Sequence, residues 1–374
     1  MRALITILDN TTETSMPFNE FVLYRANHYN DERQILIICG KKGELPKVEI
    51  PKNLKIIYAS RKLPKIRKTI RQAIAKCKEQ GVPYGIHMHQ VQSGFLAEVA
   101  MLGTGFRKKS LFTVHSTFSG YKFHNKFLSF FNTFFARYVT CVSNASYADY
   151  PKMIKGIKKD RMRALQNGVD TERIDGILRE RDFINAGPDE TGRNSETVNF
   201  IYVARLIPIK NHSFLLDVLK QCDEKIRFIF VGEENSEKTI SKKAHETGLD
   251  ERITFTGLIP RNEVFVKLKE ADYYISSSTL EGLPVSVLEA MYCGLPCVLS
   301  DIVQHKEVAG DGTVILPFDV NAWAKELNRL ANLPKEEREK SGNAVREHVL
   351  KHFSLAGMHK EYDKIYDLLD VEKS

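Results

Sequence analysis

The 374-residue sequence lacks the features of several large protein classes. Its six cysteines form no CxxC pair and lie mostly within apolar runs, which predicts buried thiols in a reducing compartment rather than disulfides or a zinc site. It has no uncharged apolar run of about 18 residues, so we expect no membrane-spanning helix. The chain is long enough for two domains, at roughly 100–200 residues each.

The sequence also lacks the motifs of the common nucleotide-dependent and metal-dependent enzymes. It has no GxxxxGK[ST] loop and no kinase signature, and Gly103-Thr104-Gly105 lacks the third glycine of a dinucleotide fingerprint. No HExxH motif or Asp-x-Asp pair indicates a catalytic metal. His87 and His89 alternate on a predicted strand without a neighbouring Cys, Asp or Glu, so we expect polar strand-end residues lining a cleft rather than metal ligands.

Negative charge is scarce in the first half of the chain. Residues 1–170 contain 28 Lys and Arg against 12 Asp and Glu, a net charge of +16, whereas residues 171–374 contain 27 against 35, a net charge of −8. So basic a half suggests an anionic partner, either nucleic acid or a membrane surface. A solvated basic face gives the same count, and the charge alone leaves these alternatives open.

Short apolar runs alternate with longer helical patterns along both halves. Such runs are typical of parallel strands that are covered on both faces. The predicted strands are Ala3–Leu8, Gln34–Cys39, Lys55–Tyr58, Gly85–His89, Leu111–Val114, Tyr138–Val142, Val198–Val203, Arg227–Val231, Arg252–Thr256, Tyr273–Ser276, Cys297–Leu299 and Thr313–Leu316. The alternation predicts two α/β units with parallel sheets, which bind ligands at the carboxyl ends of their strands.

A polar segment between the two halves predicts the domain boundary. Residues 179–196 contain Gly187-Pro188 and show no apolar period, which is typical of a surface loop or linker. Two α/β domains joined there would enclose a cleft, a common place for ligands. We therefore expect a first domain over 1–175 that is completed by an amphipathic helix at 354–374, a linker over 176–196, and a second domain over 197–353.

The segment Ala271–Asp301 carries the most specific pattern. A predicted strand leads through Glu281-Gly282-Leu283-Pro284 into a predicted helix from about Pro284 to Tyr292. Pro284 suits the first helical position, and free N–H groups at such a helix start attract phosphate. Glu289 shares a helix face with apolar residues, where a carboxylate needs hydrogen-bond donors such as the two hydroxyls of a sugar diol.

Two glutamates eight residues apart are, taken alone, more typical of an N-cap neighbour and a salt-bridged helix residue. The complete segment, however, closely resembles the Glu-x7-Glu signature of glycosyltransferase family 4, retaining nucleotide-sugar enzymes with the GT-B fold. The resemblance covers most of residues 80–370. It implies an α/β protein with two Rossmann-like domains whose parallel sheets face an interdomain cleft.

Other motifs resemble the same family in the same order along the chain. Tyr202-Val203-Ala204-Arg205 with Lys210-Asn211 resembles the element whose Arg and Lys grip the donor diphosphate, although an isolated Arg and Lys five residues apart would be surface charges. Thr256-Gly257-Leu258-Ile259-Pro260 resembles the strand-end loop whose backbone meets the nucleotide base. Phe112-Thr113-Val114-His115 resembles the strand that ends in the active-site histidine, whereas a lone histidine there would more often be structural.

Two further segments bear on the first domain. Gln166-Asn167-Gly168-Val169-Asp170 resembles the turn that closes this domain in the family, and we expect it to be structural because Asn-Gly favours positive φ. The segment 9–16 departs from the family, because members often have a glycine-rich loop after the first strand and this chain has no glycine there. That loop could shape the acceptor side instead.

The resemblance implies a role for each matched residue. Arg205 and Lys210 would stabilise the departing diphosphate together with the helix start at Pro284, Glu281 would bind the donor sugar opposite His115, and Glu289 would bind the ribose. The implied catalytic residues are His115, Glu281, Arg205 and Lys210. The implied donor-binding residues are Arg205, Lys210, Gly257, Leu258, Ile259, Glu281, Gly282, Leu283, Pro284 and Glu289, with no metal ligand and no cofactor.

The resemblance also implies the reaction, and the basic first half of the chain indicates its setting. The enzyme would be a hexosyltransferase that moves a sugar from a nucleotide diphosphate, expected to be a UDP-sugar, with retention at the anomeric carbon. Cations lie beside bulky apolar residues at 61–71, 107–109 and 122–127, and they suit an anionic lipid surface. We expect a cytoplasmic enzyme bound peripherally to the inner face of the cell membrane, with a lipid-linked or oligosaccharide acceptor in polysaccharide or lipopolysaccharide synthesis.

Some alternatives stay open at this point. Phe127, Phe130, Phe131, Phe134 and Phe135 follow each other at helical spacing, which suits an interfacial helix and a core helix equally. A sugar-nucleotide epimerase or a phosphorylase could use the same fold. A nucleic-acid-binding protein would use the basic half but would leave the Arg205, Lys210, Glu281 and Glu289 set unexplained, so we expect no nucleic-acid partner.

Overall fold

The computed structural model describes residues 1–11, 17–40, 49–184 and 197–370. Contacts divide the chain into two compact units. The first unit runs from Met1 to Asn167 and includes the chain from Ala356 onwards, and the second unit runs from Gly168 to Leu355.

Each unit is built on one parallel sheet. The strands are β1 (Arg2–Leu8), β2 (Glu32–Ile38), β3 (Leu54–Tyr58), β4 (Tyr84–Met88), β5 (Ser110–Val114), β6 (Tyr138–Cys141), β7 (Met162–Ala164), β8 (Val198–Val203), β9 (Ile226–Val231), β10 (Ile253–Gly257), β11 (Tyr273–Ser276), β12 (Cys297–Ser300) and β13 (Thr313–Leu316). Every strand predicted from the apolar runs is confirmed, with ends that move by one or two residues. The additional strand β7 is only three residues long and has no apolar run that could predict it.

Both sheets follow the same strand order. The first is ordered β3-β2-β1-β4-β5-β6-β7 and the second β10-β9-β8-β11-β12-β13, and neighbouring strands are parallel throughout. This is the order of a doubly wound Rossmann sheet, in which ligands bind at the carboxyl ends of the strands where the order reverses. The reversal falls between β1 and β4 in the first sheet and between β8 and β11 in the second.

Helices connect the strands. They are α1 (Tyr24–His28), α2 (Leu63–Glu79), α3 (Val91–Ala100), α4 (Phe123–Phe135), α5 (Asn144–Asp149), α6 (Lys152–Lys158), α7 (Thr171–Ile184), α8 (His212–Leu219), α9 (Thr239–Glu246), α10 (Arg261–Glu270), α11 (Val285–Tyr292), α12 (Val303–Val308), α13 (Val320–Ala331), α14 (Lys335–His352) and α15 (Leu355–Asp370). A π-helical turn spans Pro17–Leu23, and 3₁₀ turns span Gly105–Lys109, Lys159–Arg161, Pro208–Lys210 and Asp250–Arg252.

The C-terminal helix α15 packs on the first sheet. Its Tyr362 and Tyr366 are almost fully buried, and their hydroxyls lie 3.2 Å from Thr113 Oγ1 and 2.8 Å from His87 Nδ1. All six cysteines are buried, and none forms a disulfide, as their apolar surroundings predicted.

The segment predicted as a linker begins as a helix. Residues 176–184 form the second part of α7, which packs against α10 within the second unit. The polar composition that predicted a linker begins within this helix. Composition alone did not separate the two, because a helix on the surface of a unit also carries many charged residues. Residues 185–196 lie outside the described residues.

The turn at residues 166–170 is structural for a different reason from the one expected. Gly168 is not among the residues with positive φ, so the expectation from its Asn-Gly sequence is wrong. A Cβ atom at Gly168 would lie 2.5 Å from the Ser354 carbonyl oxygen and 2.6 Å from the Leu355 backbone. The Val169 N–H donates to Phe353 O at 2.8 Å, so glycine permits close approach of two backbone segments.

Candidate functional site

Lys210 and Glu281 meet where the strand order of the second sheet reverses. Lys210 follows β8 and Glu281 follows β11, and these two strands are neighbours in the sheet. Lys210 Nζ donates to Glu281 Oε1 at 2.5 Å, and both side chains remain partly exposed. Because a lysine ammonium has three donors, this ion pair leaves N–H groups on Lys210 that can face an anionic ligand.

The backbone around this ion pair is fixed by side-chain hydrogen bonds. The buried Tyr202 hydroxyl donates to Lys210 O at 3.1 Å and lies 2.7 Å from Ser278 Oγ. Ser277 Oγ also donates to Lys210 O, at 3.1 Å, and the Thr279 N–H donates to Ile209 O at 2.9 Å. The loops after β8 and β11 are therefore joined, which holds Lys210 and Glu281 in one geometry before any ligand arrives.

A buried histidine supports the loop that precedes Glu281. His305 Nδ1 lies 2.9 Å from Ser300 O, and its Nε2 lies 3.3 Å from Ser276 Oγ. Ser300 Oγ donates to Ser278 O at 2.6 Å. Burial lowers the pKa of His305 below its ordinary value, which favours the neutral ring. The sequence analysis missed this histidine, although its position shortly after β12 places it at the same sheet edge.

Arg205 follows β8 at its carboxyl end and, within the described residues, forms no hydrogen bond or ion pair with the Lys210–Glu281 pair. Its side chain is exposed, and no described residue bonds to its guanidinium. Gly232, which follows β9, allows the backbone here to pass closely, because a Cβ atom on it would lie 2.1 Å from Ala204 O. The predicted cationic pair thus lies at one strand end, with Lys210 already neutralised by Glu281 and Arg205 facing solvent.

The loop predicted to meet a nucleotide base follows β10. Gly257 has φ of 66°, a left-handed conformation that favours glycine, and its carbonyl accepts from the Gly232 N–H at 3.0 Å. Leu258 is 68% exposed, and Ile259 is partly exposed. This loop therefore presents backbone and apolar side chains beside the end of β9, as a flat aromatic ligand would require.

Helix α11 begins one residue later than predicted. Pro284 precedes the helix instead of occupying its first turn, and the Val285 N–H donates to Leu283 O at 2.9 Å. Leu283 and Pro284 are buried and anchor the loop, while Gly282 lies next to Glu281 and is partly exposed. The expectation of free N–H groups at this helix start is therefore wrong for Val285, and also for Val287, whose N–H donates to Pro284 O at 3.0 Å.

Glu289 is held by a partner that the sequence analysis did not identify. Arg261 donates to Glu289 Oε1 at 2.5 Å, and the Glu289 side chain is 8% exposed. Arg261 is the first residue of α10, directly after the loop that follows β10. The sequence signal for this partner was a basic residue directly after the loop that follows β10. The carboxylate thus lies near the base of the Gly257–Pro260 loop, with its second oxygen available for other donors.

The first unit has its own cluster of histidines at the carboxyl ends of β4 and β5. His115, which follows β5, lies with its Nε2 3.1 Å from His89 Nδ1. Burial lowers the pKa of His115 to about 4, so the imidazole ring is uncharged at neutral pH. His115 is partly exposed and His89 is buried, with Phe21 packed edge-on against His89 at 4.4 Å.

His87 was expected at a strand end, and this is wrong. It is 1% exposed, and its Nε2 lies 2.7 Å from Thr113 Oγ1 inside the unit. Alternation along β4 turns His87 to the face covered by α15, and burial lowers its pKa well below the ordinary value. Among the residues that the structure describes, no group of three or more His, Cys, Asp or Glu could hold a metal ion.

The loop after β1 contacts the end of β4. The Asp9 N–H donates to Gln90 Oε1, and Arg61 donates to Asp9 Oδ2 at 2.8 Å. Residues 12–16 of this loop lie outside the described residues. Within the described ranges, none of the helices is long and apolar enough to cross a membrane.

Two parallel Rossmann-like sheets with polar clusters at their carboxyl ends define the chain as an α/β protein of the GT-B type. Residues 23–173 match the family described as "Glycosyltransferase Family 4", and residues 185–348 match "Glycosyl transferases group 1". The chain belongs to the family 4 type of glycosyltransferase, as the Glu-x7-Glu segment predicted.

Relatives and solved structures agree with this assignment. The chain is 27% identical to EpsF of Bacillus subtilis (strain 168), named as a glycosyltransferase, over 86% of this chain and 81% of that protein. It is 25% identical to the UDP-Gal:alpha-D-GlcNAc-diphosphoundecaprenol alpha-1,3-galactosyltransferase of Escherichia coli, over 76% and 74% of the two chains. The structure of Anabaena HepE in complex with UDP and glucose shares the fold, with a TM-score of 0.76 at 15% identity and coverage of 97% and 99%.

Proposed function

We propose that this glycosyltransferase moves a sugar from a UDP-sugar to a lipid-linked glycan acceptor in the synthesis of a cell-surface polysaccharide or lipopolysaccharide. The observation that carries the proposal is the Lys210–Glu281 pair at the reversal point of the second sheet, 2.5 Å apart. A cation and a carboxylate side by side match a donor that presents a diphosphate next to sugar hydroxyls. The E. coli relative is named for a UDP-galactose donor and a diphosphoundecaprenol acceptor.

The cations support departure of the diphosphate. As the bond between the sugar and the phosphate breaks, negative charge grows on the leaving oxygen, and Lys210 and Arg205 donate to it. Each charge-assisted hydrogen bond contributes about 1.5–3 kcal/mol. Arg205 is exposed and can turn towards the diphosphate, whereas Lys210 has its backbone fixed by Tyr202 and Ser277.

The carboxylates and the loop after β10 support recognition of the donor. Glu281 would accept hydrogen bonds from sugar hydroxyls, and Glu289, oriented by Arg261, would accept from the ribose. Gly257, Leu258 and Ile259 would contact the base, and Gly282, Leu283 and Pro284 would place the sugar beside Glu281. His115, uncharged at neutral pH, would donate to or accept from the transferring sugar without repelling a cationic transition state.

The proposed reaction retains the configuration at the anomeric carbon and needs no metal or cofactor. With Lys210 and Arg205 on the phosphates, the positive charge that a divalent ion supplies in other transferases comes from side chains. Leaving group and acceptor would share one face of the sugar. We propose a cytoplasmic enzyme that docks peripherally on the inner face of the membrane, because its first half carries a net charge of +16.

A donor screen tests this proposal. Thermal shifts of the full chain with UDP, GDP and their sugars in the presence of EDTA should show the largest stabilisation with UDP and UDP-sugars. The selected donor and a diphosphoundecaprenol-linked sugar should then give a product whose anomeric proton coupling matches that of the donor. Consumption of UDP-sugar without acceptor would indicate an epimerase or a hydrolase, and inversion or a metal requirement would contradict the proposed mechanism.

A further inference from the structure

Helix α4 buries its polar side. Ser129 Oγ and Thr133 Oγ1 lie 2.5 Å and 2.9 Å from the Tyr150 hydroxyl, and Asn132 Nδ2 donates to Val91 O at 2.9 Å. The close approach of α4 to α3 also needs Gly94, because a Cβ atom there would lie 2.8 Å from Asn132 Nδ2. These polar residues, and no Phe of the helix, form its fully buried face.

The aromatic side of α4 faces outwards. Phe123, Phe127 and Phe134 are 90%, 59% and 40% exposed, and their spacing of four and seven residues puts them on one side of the helix. A helix that packed as core would show the opposite arrangement, so the core interpretation of the Phe pattern is wrong for Phe127 and Phe134, whereas Phe130 packs against the buried core. On the adjoining helix α6, Met153 and Ile157 are 62% and 45% exposed.

A strongly basic cavity lies at the C-terminal end of the same helix. It has a volume of about 440 Å³, and the described residues that line it include Phe134, Ile157 and several cationic side chains but no Asp or Glu. The cations are Arg107, Lys108, Arg137, Lys158 and Arg161. A second cavity of about 710 Å³ shares Thr104, Gly105 and Lys108 with the first and adds Arg71, Lys78 and Lys109, and no carboxylate of the described part of the chain lines it.

Two of these cations are held in place by backbone carbonyls at the C-terminal end of α4. Lys158 Nζ donates to Phe134 O at 3.0 Å and to Ala136 O, and Arg107 Nε donates to Phe135 O at 3.1 Å. One carboxyl group, that of the buried Glu98, faces Arg107 and Lys158 from inside, and burial raises its pKa to about 7. It can offset at most one of the positive charges, so the cavity selects an anion.

The basic cavity lies away from the candidate catalytic residues of the same unit. The 3₁₀ turn Gly105–Lys109 precedes β5, Arg137 precedes β6, and Arg161 precedes β7. These segments therefore lie at the amino edge of the sheet, whereas His115 follows β5 at the carboxyl edge. Substitutions in the cavity can consequently be tested without altering the carboxyl-edge site.

We propose that the outward Phe residues of α4 and the adjoining basic cavity form one surface that docks on an anionic phospholipid bilayer. Lipid phosphate groups would occupy the cavity, and Phe123, Phe127 and Phe134 would lie among the upper acyl carbons. The aliphatic side chains of Met153 and Ile157 extend this apolar area and favour lipid over nucleic acid, whose bases stack on aromatic rings. The inference deepens the proposed function, because docking here would keep the enzyme at the membrane that holds its lipid-linked acceptor.

Co-sedimentation of the full chain with vesicles tests the proposal. We expect binding to vesicles of phosphatidylcholine with 30% phosphatidylglycerol, on the order of a cytoplasmic anionic leaflet, and much weaker binding to phosphatidylcholine alone. Lys108→Gln and Arg161→Gln should each weaken binding about fivefold, at about 1 kcal/mol for each cation near the surface. Phe127→Ser should weaken binding as well but should leave its salt dependence unchanged.

Matched controls separate this surface from general charge and from the donor site. Lys340→Gln removes one exposed cation from the second unit and should leave vesicle binding unchanged. Every variant should keep the thermal shift with UDP, so loss of vesicle binding with donor binding intact supports the docking surface by itself. Three outcomes would overturn the proposal, even if glycosyl transfer is found. They are equal binding to both vesicle types, unchanged binding by all three variants, and tighter binding to duplex DNA than to anionic vesicles.

Discussion

The Lys210 ammonium lies 2.5 Å from the Glu281 carboxylate, although 71 positions separate the two residues in the chain. Parallel strands bring them together, because β8 and β11 are adjacent in the sheet and distant in sequence. Before a donor binds, each charge is compensated by the other. A ligand that offers phosphate to the lysine and hydroxyls to the glutamate can replace this ion pair without leaving either charge unpaired.

The substitution Lys210→Met should weaken donor binding and slow transfer while preserving the fold. The side chain keeps its apolar length but loses its N–H donors, so the departing diphosphate loses a charge-assisted partner. We expect kcat/KM to fall by about 10²–10³-fold, the size of effect seen when one oxyanion donor is removed. The measurement is initial-rate kinetics with the donor selected by thermal shift.

The control for this prediction is Lys220→Met in the same unit. Lys220 is exposed and, among the described residues, pairs with Asp217 alone, at 3.6 Å, so its removal should change kcat/KM little. Near-normal transfer by Lys210→Met would show that the donor site lies elsewhere.

Glu289→Gln should reduce the ability of the enzyme to recognise ribose hydroxyls. The wild type should bind UDP more tightly than 2′-deoxy-UDP, and the variant should lose most of this difference because an amide accepts fewer hydrogen bonds. Calorimetric titration of both nucleotides into both proteins measures the coupling free energy between the Glu289 carboxylate and the ribose 2′-hydroxyl. If the variant is destabilised but discriminates the two nucleotides as the wild type does, Glu289 serves only as the partner of Arg261.

His359 should make the first unit less stable in mild acid. Its Nδ1 faces Arg25 Nη1 at 3.2 Å and its Nε2 lies 2.7 Å from Glu20 O, and burial and Arg25 together lower its pKa to about 3. The unfolded state takes up a proton below about pH 6.5 and the folded state does not, so stability falls as the pH drops from about 6.5 towards the folded pKa. At pH 5 the loss from this group alone should be about 2 kcal/mol.

Urea unfolding at pH 7.5 and pH 5.0, followed by circular dichroism, measures this effect. His359→Gln cannot take up the proton, so its stability should depend less steeply on pH than that of the wild type, whatever its stability at pH 7.5. Identical pH dependence of the two proteins would rule out the neutral, buried state of His359.

Alanine substitutions at two glycines should change the stability of the protein in opposite directions. Gly168→Ala places a Cβ atom 2.5 Å from Ser354 O, so we expect a loss of more than about 2 kcal/mol unless the two backbone segments separate. Gly176 lies within α7 with no atom within 4 Å of its built Cβ, and Gly176→Ala should stabilise the second unit by about 0.5–1 kcal/mol. Thermal unfolding of both variants measures the difference, and a stable Gly168→Ala protein would contradict the close approach.

Local sequence patterns were sufficient to predict the strands and part of the candidate site. Apolar runs located the strands because parallel strands are buried on both faces, and the short strand β7 was missed because it has no such run. The sequence predicted the Asn-Gly turn as structural but attributed it to positive φ, which is wrong. The contact that requires Gly168 comes from Ser354, far along the chain. Arg261 was missed as the partner of Glu289 for the same reason, since its partner lies 28 positions away.

The sequence by itself determined the α/β alternation, the parallel sheets and the family, because these depend on periodicity and on motifs within a few residues. Only the tertiary structure decided that Lys210 is paired with Glu281, that His87 is a core residue, and that three Phe residues of α4 are exposed. Helical spacing fixes which residues share a side of a helix but not which side is buried. Burial of that side depends on contacts with Tyr150 and Val91, which the fold brings from elsewhere in the chain.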